Sequence, residues 1–199
     1  MVQRRLFHYS KYKMAFLTRN QLKKIGFRKV GKNVLISEKA SIYGAERISF
    51  GNNCRVDDFA ILSAGKGGIE IGDYVHIACF ATLIGGGKIT MSNYSGISAR
   101  VTIFSSSDTF EGDFMTGPCL PKSVTNTSHK DVMLGKHVVI GIGSIVLPGT
   151  ILEDGCAVGA MCLVTKSFSA NSIITGVPGK KIRDRQKNIY ELEKKLNKK

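Results

Sequence analysis

Over the last third of the chain, apolar residues recur every six positions: Leu134, Ile140, Val146, Leu152, Val158 and Val164. That period is neither the roughly 3.6 of an amphipathic helix nor the roughly 2 of a half-buried strand. Hexapeptide repetition predicts a parallel β-helix, in which each hexad supplies one short wall and three walls close a coil of about 18 residues. The same register returns earlier, at Ile36 and Ile42, Phe50 and Val56, Ile71 and Ile77, and Met91 and Ile97, with short inserts between coils. Two places before each next apolar position the narrow interior admits only a small side chain. Ala40, Cys54, Ala60, Ala81, Ser95, Ser144, Thr150, Cys156 and Cys162 fit, whereas Glu46 and Phe168 break the rule. A sandwich would need longer strands alternating by two, which the hexads do not show.

The pattern divides the chain into an N-terminal cap over 1–33, a solenoid over 34–178 and a basic helix over 179–199. In the cap, Thr18 is placed to N-cap a short helix through Leu22 and Ile25 that Gly26 stops. The solenoid is interrupted by a long non-repeating loop over 104–133. Beyond Pro178, the residues Ile182, Ile189, Leu192 and Leu196 make one apolar stripe at helical spacing. Both end segments are positioned to cover the open edges that a solenoid leaves. The expected class is therefore all-β, a parallel β-helix with a protruding loop, a cap and a C-terminal helix.

Composition adjusts this picture little. With 199 residues and 43% hydrophobic content the chain can bury a full core as one domain. No apolar run is long enough to span a bilayer, and the basic, aromatic start lacks the continuous apolar core of a signal peptide. The five cysteines show no paired spacing, and three fall on inward positions, which reads as reduced core residues of a cytoplasmic protein. The net charge of +14 is concentrated at the ends, with no acidic residue between Arg4 and Lys32. Basic ends suit a phosphorylated cofactor or at most peripheral contact with lipid headgroups.

The hexads, the inserted loop, and the closing pieces Val164-Thr165-Lys166 and Gly176-Val177-Pro178-Gly179-Lys180-Lys181-Ile182 together resemble the hexapeptide-repeat acyltransferases. The chain is most similar to the bacterial sugar O- and N-acetyltransferases of surface-polysaccharide biosynthesis, from Phe16 onward. The resemblance implies a left-handed β-helix, a homotrimer with active sites between subunits, acetyl-coenzyme A as cosubstrate and no metal. It also implies a sugar acceptor, nucleotide- or lipid-linked, and no nucleic acid. Under it, Gly141, Gly143, Gly159 and Ala160 would give the extended pantetheine close approach near the repeat corners. Thr165, Lys166, Lys180 and Lys181 would meet the nucleotide end of the coenzyme.

The implied reaction moves acetyl from a thioester to a hydroxyl or amine, and a positioned base accelerates it by roughly 10²- to 10⁴-fold. Of the four histidines, His8 lies in the cap, His137 in a repeat beside an inward position, and His129 in a solvated loop stretch. His76 falls between inward Val75 and Ile77, so it faces outward on a wall and is the candidate base. In maltose- and galactoside-type acetyltransferases the catalytic histidine opens the long loop. Here that stretch reads Phe104-Ser105-Ser106-Ser107-Asp108-Thr109-Phe110, without a histidine. Asp108 stands in its place, to orient a histidine from another wall or to bind the acceptor. An amine acceptor would need a base less than a hydroxyl. Asp57, Asp58, Tyr94 and Arg100, on flanking turns, are candidate acceptor contacts. Two other readings use the same fold: a zinc enzyme like the γ-class carbonic anhydrases, through His76, His129 and His137, and a non-catalytic scaffold whose basic ends bind anions.

Overall fold

The computed structural model describes residues 15–198, so His8 and the first part of the expected cap lie outside it. The hexads build three parallel walls. The first stacks six strands, from Lys29–Val30 to Ile151–Leu152, and the third stacks six, from Ser41–Tyr43 to Leu163–Val164. The second runs from Leu35–Ile36 to Ser172–Thr175 and ends in an added strand, Lys180–Asp184. Residues of consecutive coils pair in register, as in Arg55 with His76, His76 with Gly96, and Gly96 with Val139.

The repeat positions point where their spacing predicts. Ile36, Val56, Ile77, Leu134, Ile140, Val146, Leu152 and Val164 are wholly buried, and the small positions Ala60, Ala81, Ser144, Thr150 and Cys156 lie among them. The five cysteines are free, and burial pushes the thiols of Cys54, Cys156 and Cys162 up from their ordinary value. Both exceptions have local explanations. Glu46 sits exposed on a 3-10 turn, Ala45–Arg47, paired with Arg47, while Ile48 takes the inward place. Phe168 is buried at the end of the interior, bridged to Leu152, where no further coil narrows the space.

Corners are stapled by side chains. Between the first and second walls, the Asn52 side chain accepts from Lys32 N–H at 2.8 Å, Asp73 from Asn52 N–H at 2.5 Å, and Asn93 from Asp73 N–H at 2.9 Å. Farther along the same corner Asp154 accepts from Lys136 N–H at 2.8 Å. Above these staples runs a ring ladder. Tyr74 stacks on Tyr94 at 5.1 Å, Tyr94 on His137 at 5.0 Å, and His137 meets the edge of Tyr190.

The ends follow the sequence in part. Thr18 caps Arg19–Ile25 with a reciprocal Gln21 bond, Gly26 closes it at φ +81°, and Leu22 is buried. The C-terminal region departs from the expected helix over 179–199. Lys180–Asp184 folds back antiparallel on Ser172–Thr175, and the helix is confined to Asn188–Leu196. The last parallel strand leaves unpaired backbone groups, and a returning strand satisfies them, which a helix cannot. Leu192 and Leu196 stay exposed; polar contacts hold the helix. Glu193 accepts from Lys136 at 3.0 Å and bonds His137 at 2.7 Å, and Tyr190 donates to Asn171 at 2.8 Å. Arg185 donates to the carbonyls of His137 and Gly155.

Candidate active site

The third wall passes through Thr102–Phe104, and there the chain leaves the coil. Ser106–Asp108 returns as an antiparallel ribbon with Thr127–His129, Ser106 opposite His129 and Asp108 opposite Thr127. Alternate residues of a strand share a face, so these four polar side chains stand together. The triple glycine at 85–87 makes room for the ribbon base: a Cβ on Gly85 would lie 2.3 Å from Ser105 Oγ, and one on Gly86 2.5 Å from the His129 ring. Between ribbon, loop and wall lies a cleft of about 730 Å³, lined among others by Ile84, Phe104, Ser106, Asp108, Leu120 and Lys122. That size suits a small-molecule site. The Asp108 carboxylate accepts from Thr127 Oγ1 at 2.6 Å and Gly117 N–H at 3.1 Å. A carboxylate has about four lone-pair sites, so two fixed donors leave Asp108 with acceptor capacity to spare.

His76 faces outward on the second wall, as expected, with its side chain 52% exposed. Its Nε2 bonds the Asp57 carboxylate at 2.8 Å, and Arg55 Nε holds the other Asp57 oxygen at 2.6 Å. Because a carboxylate only accepts, Nε2 carries the proton and Nδ1 keeps its lone pair when the ring is neutral. The carboxylate that orients His76 is therefore Asp57 and not Asp108. Within one chain, His76 stands on the second wall and Asp108 on the ribbon that leaves the third.

The remaining candidates separate clearly. Asp58 accepts from Ser37 at 2.5 Å and Lys39 at 2.9 Å, and these bonds hold its carboxyl below the usual range. Arg100 is exposed, with its guanidinium 5.4 Å from the Phe80 ring centre. Tyr94 has Tyr74 and His137 stacked against its ring, and its hydroxyl donates to Asn197. Gly141, Gly159 and Ala160 stack where successive coils touch, and Gly143 shares this corner at φ +69°. A Cβ on Gly141 would lie 2.6 Å from Ala160 N and 2.7 Å from Gly159 C. Thr165 and Lys166 follow the last third-wall strand, Lys166 lying 5.9 Å over Phe168. Lys180 and Lys181 lie on the returning strand opposite Thr175 and Ile174, and Lys181 also pairs with Asp184.

The three histidines of the zinc reading have separate partners, Asp57, Ser106 and Glu193, on different elements. Among the described residues no group of three His, Cys, Asp or Glu is disposed to hold a metal. No helix there is long and apolar enough to cross a membrane.

No protein-family model matches the chain. Individual relatives do. The dTDP-4-amino-4,6-dideoxy-D-glucose acyltransferase of Escherichia coli is 50% identical over 180 residues, covering 90% of this chain and 94% of the relative. The chain belongs to the hexapeptide-repeat sugar acyltransferases. A second member, the putative lipopolysaccharide biosynthesis O-acetyl transferase WbbJ of Escherichia coli K12, is 31% identical over 74% of both chains. Among solved members, AntD, an N-acyltransferase from Bacillus cereus, superposes with a TM-score of 0.89 at 44% identity, over 94% of this chain and 99% of that one. That structure, a variant with one serine replaced by alanine, holds dTDP-4-amino-4,6-dideoxyglucose and coenzyme A.

Sequence reasoning on this acyltransferase missed Ser106, Thr127 and the ribbon that unites them with Asp108. Polar runs such as Ser105-Ser106-Ser107 and Thr127-Ser128-His129 carry no apolar alternation, so nothing local marks them as strands. The glycines at 85–87 were the available signal, since three in succession imply close approach of another segment.

Proposed function

We propose that the protein transfers an acyl group from acyl-coenzyme A to the amino group of a dTDP-linked 4-amino-4,6-dideoxyhexose, a precursor of a surface polysaccharide. The observation that carries this reading is the 50% identity, over nearly its whole length, to an enzyme named for that acceptor. The cleft agrees with it, since an amine attacks well once neutral and a carboxylate can accept its N–H and orient the nitrogen. Asp108 is assigned to the attacking nitrogen. AntD has been solved with one aspartate replaced, and with one serine ten positions earlier replaced. Three pairs here share that spacing: Ser63 and Asp73, Ser98 and Asp108, Ser144 and Asp154. Asp73 and Asp154 staple coils, whereas Asp108 lines the cleft, which supports the pair Ser98 and Asp108.

The active assembly is a homotrimer, in which the cleft of one subunit faces the second wall of its neighbour and His76 with Asp57 completes the acceptor side. Outward Leu35 and Val139 on the second wall, Tyr43 and Ile145 on the third, and the loop tip at Phe110, 87% exposed, supply apolar surface for closed cyclic packing. The coenzyme lies along the corner of Gly141, Gly143, Gly159 and Ala160, with its phosphates toward Thr165, Lys166, Lys180 and Lys181. Reaction takes place in the cytoplasm, where acyl-coenzyme A and nucleotide sugars are made. The test is transfer itself, with Asp108→Asn as the variant: turnover falls at least a hundredfold while coenzyme binding persists. Near-normal turnover would remove Asp108 from the chemistry.

A further inference from the structure

Ser106, on the cleft, forms a chain of hydrogen bonds that leads out of it. Its Oγ accepts from Gly86 N–H at 2.5 Å and lies 2.7 Å from His129 Nδ1. Gly86 N–H occupies one of the two acceptor lone pairs of Ser106 Oγ and leaves its proton free to point to Nδ1; the relay uses the tautomer in which Nδ1 accepts and Nε2 carries the His129 proton. Ser106 is half-buried and lines the cleft, whereas His129 is exposed. A Cβ on Gly86 would lie 2.5 Å from Nδ1 and 2.7 Å from Cε1 of the ring, so a side chain there displaces it. Asp108 is two residues from Ser106 on the same face of the ribbon.

We infer that Ser106 and His129 form a proton relay that carries the amine proton from the cleft to solvent. The inference rests on the N-acyl reading above. The amine nitrogen attacks the thioester carbon, forming the C–N bond and a tetrahedral adduct with a positively charged nitrogen. That nitrogen gives a proton to Ser106 Oγ as the serine proton passes to His129 Nδ1. Collapse of the adduct breaks the C–S bond, and the coenzyme thiolate takes a proton from water. The imidazolium returns its proton to solvent, leaving amide and free thiol. Asp108 holds the amine; Ser106 and His129 remove its proton.

Few charges face His129. Lys130 and Asp131 are its chain neighbours, but Asp131 is bonded to Lys88 N–H and the Lys130 stem runs toward Gly149. The glycine segment beneath the ring contributes only Lys88, the opposite strand only Asp108, and the cleft Lys122.

The experiment measures kcat against pH for wild type, His129→Gln and Ser106→Ala with acetyl-coenzyme A and dTDP-4-amino-4,6-dideoxyglucose. Wild-type turnover is the control on the parent reading: no amide product there overturns the N-acyl assignment, not the relay alone. Given wild-type turnover, His129→Gln lowers kcat about a hundredfold, loses the acid limb of the profile, and keeps the KM for the coenzyme within twofold. Added imidazole restores turnover to His129→Ala, and Ser106→Thr, which keeps the hydroxyl, retains activity that Ser106→Ala loses. Gly86→Ala, which removes no polar group but displaces the ring, reproduces the histidine defect. Wild-type kcat with an unchanged acid limb in His129→Gln would overturn the relay. Should that variant not fold, an unaltered profile in Ser106→Ala would do the same.

Discussion

Gly141 separates a structural from a ligand-binding role for the corner glycines. In Gly141→Ala the new Cβ would stand 2.6 Å from Ala160 N and 2.7 Å from Gly159 C. Both atoms are backbone, and Gly141 N–H and Gly159 N–H are themselves bonded to Val158 and Ile174 carbonyls at 2.8 Å. Neither coil can swing aside as a flexible side chain would, so the coils must spread. Overpacking of this kind costs about 1–3 kcal/mol, and replacing glycine returns about 0.4–1 kcal/mol by stiffening the unfolded chain. The net loss is about 0–2.6 kcal/mol, centred near about 1.3 kcal/mol. For a chain of this length the central value lowers Tm by about 3–5 °C. Thermal unfolding followed by circular dichroism reads the shift, and calorimetric titration with coenzyme A reads the ligand. Lys166→Ala is the converse, weakening coenzyme binding without moving Tm. An unchanged Tm in Gly141→Ala together with weakened coenzyme binding would refute the packing argument and make the glycine purely a clearance for ligand.

Thr150 is wholly buried, and its hydroxyl has no hydrogen-bond partner among the described residues. Thr150→Val, of the same shape, therefore stabilises by about 1 kcal/mol, raising Tm by about 2–4 °C; a lower Tm would mean the hydroxyl is satisfied. The C-terminal helix responds to pH through Glu193, whose carboxyl is held below its ordinary 4.5, first by His137 and then by Lys136. Its contribution is present above pH 4.5 and is lost as pH falls through the depressed value. Lys136, raised above 10.5 chiefly by Glu193, contributes fully below pH 10.5 and loses that contribution as pH rises through the raised value. Hydrogen exchange should show residues 188–196 protected at pH 7, and Glu193→Gln at pH 7 should lose that protection as wild type does once pH falls below the depressed value; equal protection in both proteins at pH 7 would dismiss the clasp.

The solenoid was legible because its interior imposes a strict rule on every coil: one large and one small inward residue per hexad, as at Ile140 and Ser144. The cap helix was legible through Thr18 and Gly26, where local capping decides the ends. The strand at Lys180–Asp184 was not, because an unpaired sheet edge elsewhere in the chain recruits it against its own helical spacing. His76 could be placed on a wall, but its carboxylate partner is one coil away, a distance of 19 residues that no local pattern records. Asp108 became a candidate through an absence, the missing loop histidine. Ser106 and His129 became visible only when the ribbon brought segments 23 residues apart into register.

The central claim is acyl transfer to a sugar amine, and free thiol release with product mass reads it directly. Incubation with acetyl- or 3-hydroxybutyryl-coenzyme A and dTDP-4-amino-4,6-dideoxyglucose should release one thiol per amide formed, whereas dTDP-glucose, bearing a hydroxyl at that carbon, should release none. Thiol release with the hydroxyl sugar and none with the amine would contradict the account.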